Sequence, residues 1–410
     1  MQSTITTPAC AILALIAAAH AQSGWSAPQV VPNIASTVSD TSPTLSADGL
    51  TMWFASSRSG GAEWEIYETT RASTAQPFGT PVLSGVSMVG ATDTDPFVSH
   101  DGLELYFCST RAGGQGNFDI LRATRPSTAA PFGPPAFVTE LNSPDNDGSP
   151  SLTADGLTIY ILSARAGSPN PPNAVIWRAK RPNRGSPFST PVLVGELANA
   201  DANRGPEVAP DDLSIVWMHF DSTTRDSQLV VASRTSTAIP FGVPVVVPEL
   251  SGPGRIDGPT FDATRSVMYL PKFNSAVALG FVIHETRFLG LVATGVAGIG
   301  STMTMTWRDS AHPGSVCIGA FSLGNGPTTI LGRVIPLDLD WLFTTSLGGV
   351  PPMTGGYVAA LDPAGETHPT LTSNLPALVG LHVFTGFFTL DSAAPLGVAT
   401  IGNSIEIEFH

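Results

Sequence analysis

Ser42-Pro43-Thr44-Leu45-Ser46-Ala47-Asp48-Gly49-Leu50-Thr51-Met52-Trp53-Phe54 is the stretch whose reading decides the fold. It returns as Asp95-Pro96-Phe97-Val98-Ser99-His100-Asp101-Gly102-Leu103-Glu104-Leu105-Tyr106-Phe107, and again as Ser149-Pro150-Ser151-Leu152-Thr153-Ala154-Asp155-Gly156-Leu157-Thr158-Ile159-Tyr160-Ile161. Weaker copies run from Gly205-Pro206 through Asp211-Asp212-Leu213, and from Gly258-Pro259 through Thr264-Arg265. The leading prolines at 43, 96, 150, 206 and 259 stand 53, 54, 56 and 53 residues apart. Self-similarity at such a period marks a repeat architecture.

Each period parses into four strands. In the first, residues 42–46 form a short strand A, and Ala47-Asp48-Gly49 makes a tight turn in which glycine supplies a positive φ. Residues 50–56 form strand B, and 64–69, alternating apolar and polar, form strand C. Phe78-Gly79-Thr80-Pro81-Val82-Leu83 is strand D, and its proline assigns it to an outer edge, because proline cannot donate to a central ladder. Arg71, Arg125, Arg181 and Arg234 each stand seven residues before Phe78, Phe132, Phe188 and Phe241, so the connector between C and D has one geometry throughout. Four short strands per repeat predict a β-propeller blade. There are five A-strands but four D-strands of this type. Trp25-Ser26-Ala27-Pro28-Gln29-Val30 matches the missing one, so the N-terminal segment is expected to complete the last of five blades and remove a free edge.

The expected fold is all-β, a five-bladed β-propeller over residues 22–289 followed by a β-sandwich over 290–410. In the second region strand-like runs fall at 303–307, 316–321, 331–337, 341–346, 356–361, 381–390 and 404–409, with turn signals between them and no helical period. Ahead of both, the apolar run 11–18 and Ala19-His20-Ala21 read as an export signal over residues 1–21. A periplasmic or extracellular protein is therefore expected. No stretch is long and apolar enough to read as a membrane helix, and the protein is expected to act as a monomer.

The 410 residues carry a formal net charge of -14. An acidic surface repels phosphate backbones, so nucleic acid is not an expected partner, whereas cations and basic partners stay open. The sequence has no H-E-x-x-H, no G-x-S-x-G and no P-loop, so zinc or nucleophilic catalysis has no motif behind it. Cys108 and Cys317 read as two buried thiols in separate regions. Trp53, Tyr106 and Tyr160 hold matching strand-B positions and read as packing between blades.

The blade motif, a proline followed five residues later by Asp-Gly and then an apolar strand, resembles the WD40-like PD40 repeat of TolB-type propellers. It is carried by Pro43/Asp48-Gly49, Pro96/Asp101-Gly102 and Pro150/Asp155-Gly156, with Arg58, Arg111 and Arg165 fitting the same pattern. The resemblance spans roughly residues 24–288 and implies the fold and an exported binding role. Blades four and five depart from it, with Asp211-Asp212 and Thr264-Arg265 in place of Asp-Gly. Val334-Ile335-Pro336-Leu337-Asp338-Leu339 and the segment 396–407 resemble a C-terminal module of secreted bacterial proteins, which implies no enzymatic activity.

One rim of the ring gathers the candidate site. Three residues before the leading prolines stand Asp40, Asp93, Asp147, Asn203 and Ile256, with Asp257 one step on. Arg58, Arg111 and Arg165 lie on the B–C loops of the same rim, while their counterparts in blades four and five are Asp221 and Asn274. In one reading each arginine pairs with a carboxylate and pins the loops. In the other the rim binds a protein or glycan ligand at the channel mouth. Asymmetric members, among them Arg204 and Asp257, are the ones able to select a ligand. A hydrolase on paired rim carboxylates is the alternative function. No organic cofactor is expected, but Asp145 with Asp147, and Asp93 with Asp95, offer hard oxygen ligands for calcium.

Overall fold

A computed structural model of the chain describes residue 25 and residues 28–287, apart from short segments at 61–62, 170–172, 200, 222–225, 248–249, 252–254, 264, 266 and 275–279, and, within 291–408, mainly the strands. The export signal expected at 1–21 and the strand expected at 341–346 lie outside the described residues.

By backbone contacts the chain divides into one unit of Pro28–Thr286 and another holding Arg287–His410. The first is a ring of five four-stranded antiparallel sheets. Blade one is β2 (Asp40–Leu45), β3 (Thr51–Ser56), β4 (Glu65–Thr70) and β5 (Val82–Leu83). Blade two is β6 (Asp93–Val98), β7 (Glu104–Ser109), β8 (Asp119–Thr124) and β9 (Ala136–Phe137). Blade three is β10 (Asp147–Leu152), β11 (Thr158–Ser163), β12 (Val175–Lys180) and β13 (Val192–Leu193). Blade four is β14 (Ala202–Val208), β15 (Ser214–Phe220), β16 (Ser227–Ser233) and β17 (Val245–Val246).

The fifth blade joins the two ends of the ring. Its β18 (Thr260–Phe261), β19 (Val267–Phe273) and β20 (Phe281–Arg287) are completed by β1 (Gln29–Val30), in the order β1-β20-β19-β18. Gln29 pairs with Glu285 and Val30 with His284, and the Val31 amide extends the ladder to the Ile283 carbonyl. The N-terminal strand therefore closes the last blade, as the match to the D-strands predicts. The outer strands are only two residues long because the prolines beside them remove ladder donors.

The core of this unit lies between blades. Trp53 faces Leu105 and Phe107 across the first interface, Tyr106 meets Ile159 and Trp177 across the second, and Tyr160 meets Trp217 and Phe241 across the third. Met52 and Phe54 meet Tyr269 and Ile283 where blade five adjoins blade one. Trp53, Tyr106 and Tyr160 are buried packing residues.

The A-strands of blades one to four carry the same irregularity. The register shifts between Thr41 and Thr44, Thr94 and Phe97, Gly148 and Ser151, and Arg204 and Glu207. The residue before each of these prolines, Ser42, Asp95, Ser149 or Gly205, has φ between 46° and 51°. A left-handed residue ahead of proline is costly, and it bends the strand where it passes the axis.

The second unit is also all-β. One sheet orders Leu291–Thr294, Thr302–Arg308, Thr370–Thr372 and Thr354–Gly355, with Glu366–Thr367 also on Thr302–Arg308. The other orders Val358–Ala360, Val316–Ser322, His382–Leu390 and Val398–Ile401, with Ile405–Glu408 also on His382–Leu390. Trp307 of the first sheet stacks on Phe387 of the second at 5.8 Å and 9°, which brings the two sheets face to face as a sandwich.

Candidate functional site

The recurring Asp-Gly turns are structural. The Asp48 carboxylate accepts the Ser46 hydroxyl and the Leu50 amide, which together hold its pKa below the usual carboxylate range. Asp101 and Asp155 repeat these bonds. The position after them is left-handed in all five blades, as Gly49, Gly102, Gly156, Asp212 and Arg265. The connector arginines cap these turns. Arg71, Arg125, Arg181 and Arg234 donate Nε to the carbonyls of Gly49, Gly102, Gly156 and Asp212 at 2.6–2.8 Å. Each also lies over the phenylalanine seven residues on, at 4.1–4.5 Å.

The rim arginines pair within their own blades. Arg58 meets Asp40 at 2.6 Å, Arg111 meets Asp93 at 2.7 Å and Arg165 meets Asp147 at 2.6 Å, and all three carboxylates are fully buried. The same arginines donate to the carbonyls of Ile34, Val86 and Leu141 in the connectors that lead into each A-strand. Ser36, Met88 and Ser143 donate to the carboxylates from the other side. Three of the rim carboxylates thus tie a connector to a B–C loop. Asp145 is exposed, and Asp147 has its oxygens engaged by Arg165 and Ser143. Among the described residues no three of His, Cys, Asp and Glu gather as a metal site.

Blades four and five break the pattern. Asn203 replaces the carboxylate and its Oδ1 accepts Trp217 Nε1 at 3.1 Å, with His219 Nδ1 3.5 Å away. Asp257 sits one residue later in the repeat, at the position of Thr41, Thr94, Gly148 and Arg204. It is buried and accepts the Thr41 hydroxyl and the Gly258 amide, both at 2.9 Å. Burial raises its pKa, while the nearby charge of Arg204 opposes the rise and that of Asp95 adds to it. No guanidinium or ammonium among the described residues lies within ion-pair distance of Asp257 or Asp95.

These unpaired carboxylates face a cavity of about 480 Å³ at the channel mouth, which Asp147, Asn203 and Arg204 also line. Asp95 belongs to the floor, for it lines both this cavity and the axial constriction below, where the five A-strands converge. Its carboxylate accepts the hydroxyls of Ser42 at 2.7 Å, Ser149 at 2.6 Å and Thr94 at 3.2 Å. Trp64, Phe118 and Phe281 add half-buried aromatic walls. These three stand at the start of strand C, outside the Pro…Asp-Gly motif on which the sequence reading of the site rests. The signal was there, since Trp64, Phe118 and Phe281 share one repeat position, two residues before Ile66, Ile120 and Ile283, which Ala174 fills in blade three and Ser227 in blade four. The carbonyls of Trp64 and Phe118 accept the amides of Asp93 and Asp147, which sets them against the start of the next A-strand.

Beyond the constriction, a smaller cavity of about 60 Å³ is lined by Glu207, His100 and Arg265, among others. Arg265 is buried over the Phe261 ring at 4.0 Å, and burial draws its pKa down to about 10. Burial pushes the Glu207 carboxyl up to about 7, against the pull of Arg265.

No family model and no curated protein matches the chain. Among solved structures, a TolB protein from Agrobacterium tumefaciens shares 16% identity, with a TM-score of 0.36, over 66% of this chain and 76% of that one. Prolyl oligopeptidase B from Galerina marginata shares 10% at 0.34, over 67% of this chain and 39% of that one. A thermostable family-43 glycoside hydrolase shares 13% at 0.40, over 63% and 91%. All three scores lie below 0.5, and the five-bladed assignment rests on the strand pairing described above.

Proposed function

We propose that this chain is an exported, non-catalytic binding protein whose protein or glycan ligand enters the mouth of the propeller. One observation carries the reading. Three rim carboxylates are consumed by loop-pinning arginines, whereas Asp95 and Asp257 face an open cavity with hydroxyls, amides and three aromatic rings around them. A concave site with a few convergent polar groups on apolar walls is the usual form of a ligand pocket. Export rests on the apolar run 11–18 with Ala19-His20-Ala21, and among the described residues no helix is long and apolar enough to cross a membrane. A thermal-shift screen of the full chain against soluble glycans and short peptides tests the proposal. A ligand that binds only the native state raises Tm by mass action, and the shift should vanish in Asp257→Asn. A screen with no shift from either ligand class removes the reading.

A second reading is a glycoside hydrolase, favoured by the same two carboxylates. Asp257, whose pKa burial raises, suits a proton donor, and Asp95, held by three hydroxyls, suits the partner carboxylate. Release of nitrophenol from aryl glycosides by the native chain, and its loss in both Asp95→Asn and Asp257→Asn, would move the assignment to the enzyme.

A further inference from the structure

We propose that the mouth is built for a cation, and that its ligand is a partner protein that presents a lysine or arginine side chain to Asp257 and Asp95. The inference rests on the binding reading above and names the chemistry of what is bound.

The charge balance of the mouth supports it. Asp40, Asp93 and Asp147 each have a guanidinium at 2.6–2.7 Å. Asp257 is only 9% exposed, yet its hydrogen bonds among the described residues are one hydroxyl and one amide. A carboxylate oxygen has two acceptor sites, so each Asp257 oxygen keeps one unused. Asp95 is held by hydroxyls and by the Cys108 thiol at 3.7 Å, none of which carries charge. A buried carboxylate without a cation is costly, and its raised pKa is the sign of that cost in Asp257. An incoming cation offsets it.

The shape narrows the cation to the end of a long stem. Asp95 is on the floor of the cavity, where the Gly205 and Gly258 backbones meet at the axis. A volume of about 480 Å³ admits side chains but no folded element. A lysine or arginine can lay its methylenes along Trp64, Phe118 and Phe281 and carry its charge to the floor. An amino group fixed directly to a sugar ring reaches less deeply. Arg204 acts as the internal competitor. It is exposed on the same rim, its charge bears on Asp257, and among the described residues it makes no ion pair.

Calorimetry on the full chain tests this with capped pentapeptides, Gly-Gly-Lys-Gly-Gly and its arginine form, each beside a neutral twin carrying acetyl-lysine or citrulline. The expected result is binding of the charged peptides and about tenfold weaker binding of the neutral twins, since the charge is the recognised feature. Asp257→Asn should weaken the charged peptides to a similar degree while keeping or raising Tm, because it removes a buried uncompensated charge. Arg204→Ala should tighten them. If Arg204 merely served Asp257 as a structural partner, Arg204→Ala would instead lower Tm and leave affinity unchanged. Equal binding of charged and neutral peptides overturns the cation assignment and leaves the binding reading standing. Binding of chitosan oligomers without the peptides overturns the protein partner. If neither peptides nor glycans bind, both readings fall.

Discussion

Arg181 of the third blade donates Nη2 to Oε2 of Glu104 in the second at 2.8 Å, and its side chain is wholly buried. The same guanidinium caps the Gly156 carbonyl and covers Phe188, while Arg122 takes the other oxygen of Glu104 at 3.2 Å. One side chain thus joins a turn, a connector and the neighbouring blade. Arg181→Ala leaves Glu104 without that cation and should cost about 3–5 kcal/mol. Arg181→Lys keeps the charge but cannot hold the turn and Glu104 together, so it should recover less than half of the loss. Denaturant unfolding of the two variants measures both.

Arg111→Ala tests the loop-pinning role of the rim. It strands the fully buried Asp93 and releases the Val86 carbonyl. A loss of about 3–5 kcal/mol follows from the uncompensated charge, and Asp93→Asn with Arg111→Ala should lose less than the single arginine variant. A thermal melt that does not move in Arg111→Ala would remove the structural role.

Gly205 and Gly258 set how tightly the ring closes. A Cβ on Gly205 would run into the Cα of Gly258, and φ at Gly205 is 47°. Gly205→Ala should cost about 3 kcal/mol, through overpacking at the axis. Calorimetric melting of this variant beside Gly195→Ala, whose added Cβ meets nothing within 4 Å, separates the axial clash from loss of glycine as such.

Glu207 should make stability fall as pH rises. Burial raises its carboxyl to about 7 in the folded chain, while the ordinary value is 4.5. Below the ordinary value both states are protonated. Between the two values the unfolded chain releases the proton and the folded chain keeps it, so unfolding gains. The loss builds across that window to about 1–3 kcal/mol, discounted because part of the side chain reaches the channel surface. Melts of Glu207→Gln from pH 4 to 8 should show a flatter slope than the native chain.

Val31→Pro removes the amide that bonds the Ile283 carbonyl across the closure of blade five. It should lower Tm and raise amide exchange first in β20, because a ring without its N-terminal strand has an open edge. Unchanged exchange there would separate closure from stability.

Much of this molecule was legible in its sequence, because its repeat is a local pattern. Proline spacing, Asp-Gly turns and the arginine seven residues before each phenylalanine each report on short-range geometry, and together they specified blades, their number and the N-terminal closure. The rim was legible only as a set of positions. Asp40, Asp93 and Asp147 recur for the same reason as Arg58, Arg111 and Arg165, so their pairing follows from the repeat. Trp64, Phe118 and Phe281 share a repeat position, but Asp95 and Asp257 do not recur, and nothing local says that these five share a cavity. Only ring closure brings blades one, two and five to one mouth, since those residues are up to 217 positions apart in the chain. The left-handed kink before Pro96 turns Asp95 toward the axis, where hydroxyls from blades one and three reach it. The sequence by itself determined the blades, through spacing and turn chemistry. The tertiary structure decided which carboxylates keep an arginine and which are left facing the channel, because that depends on distances across the ring.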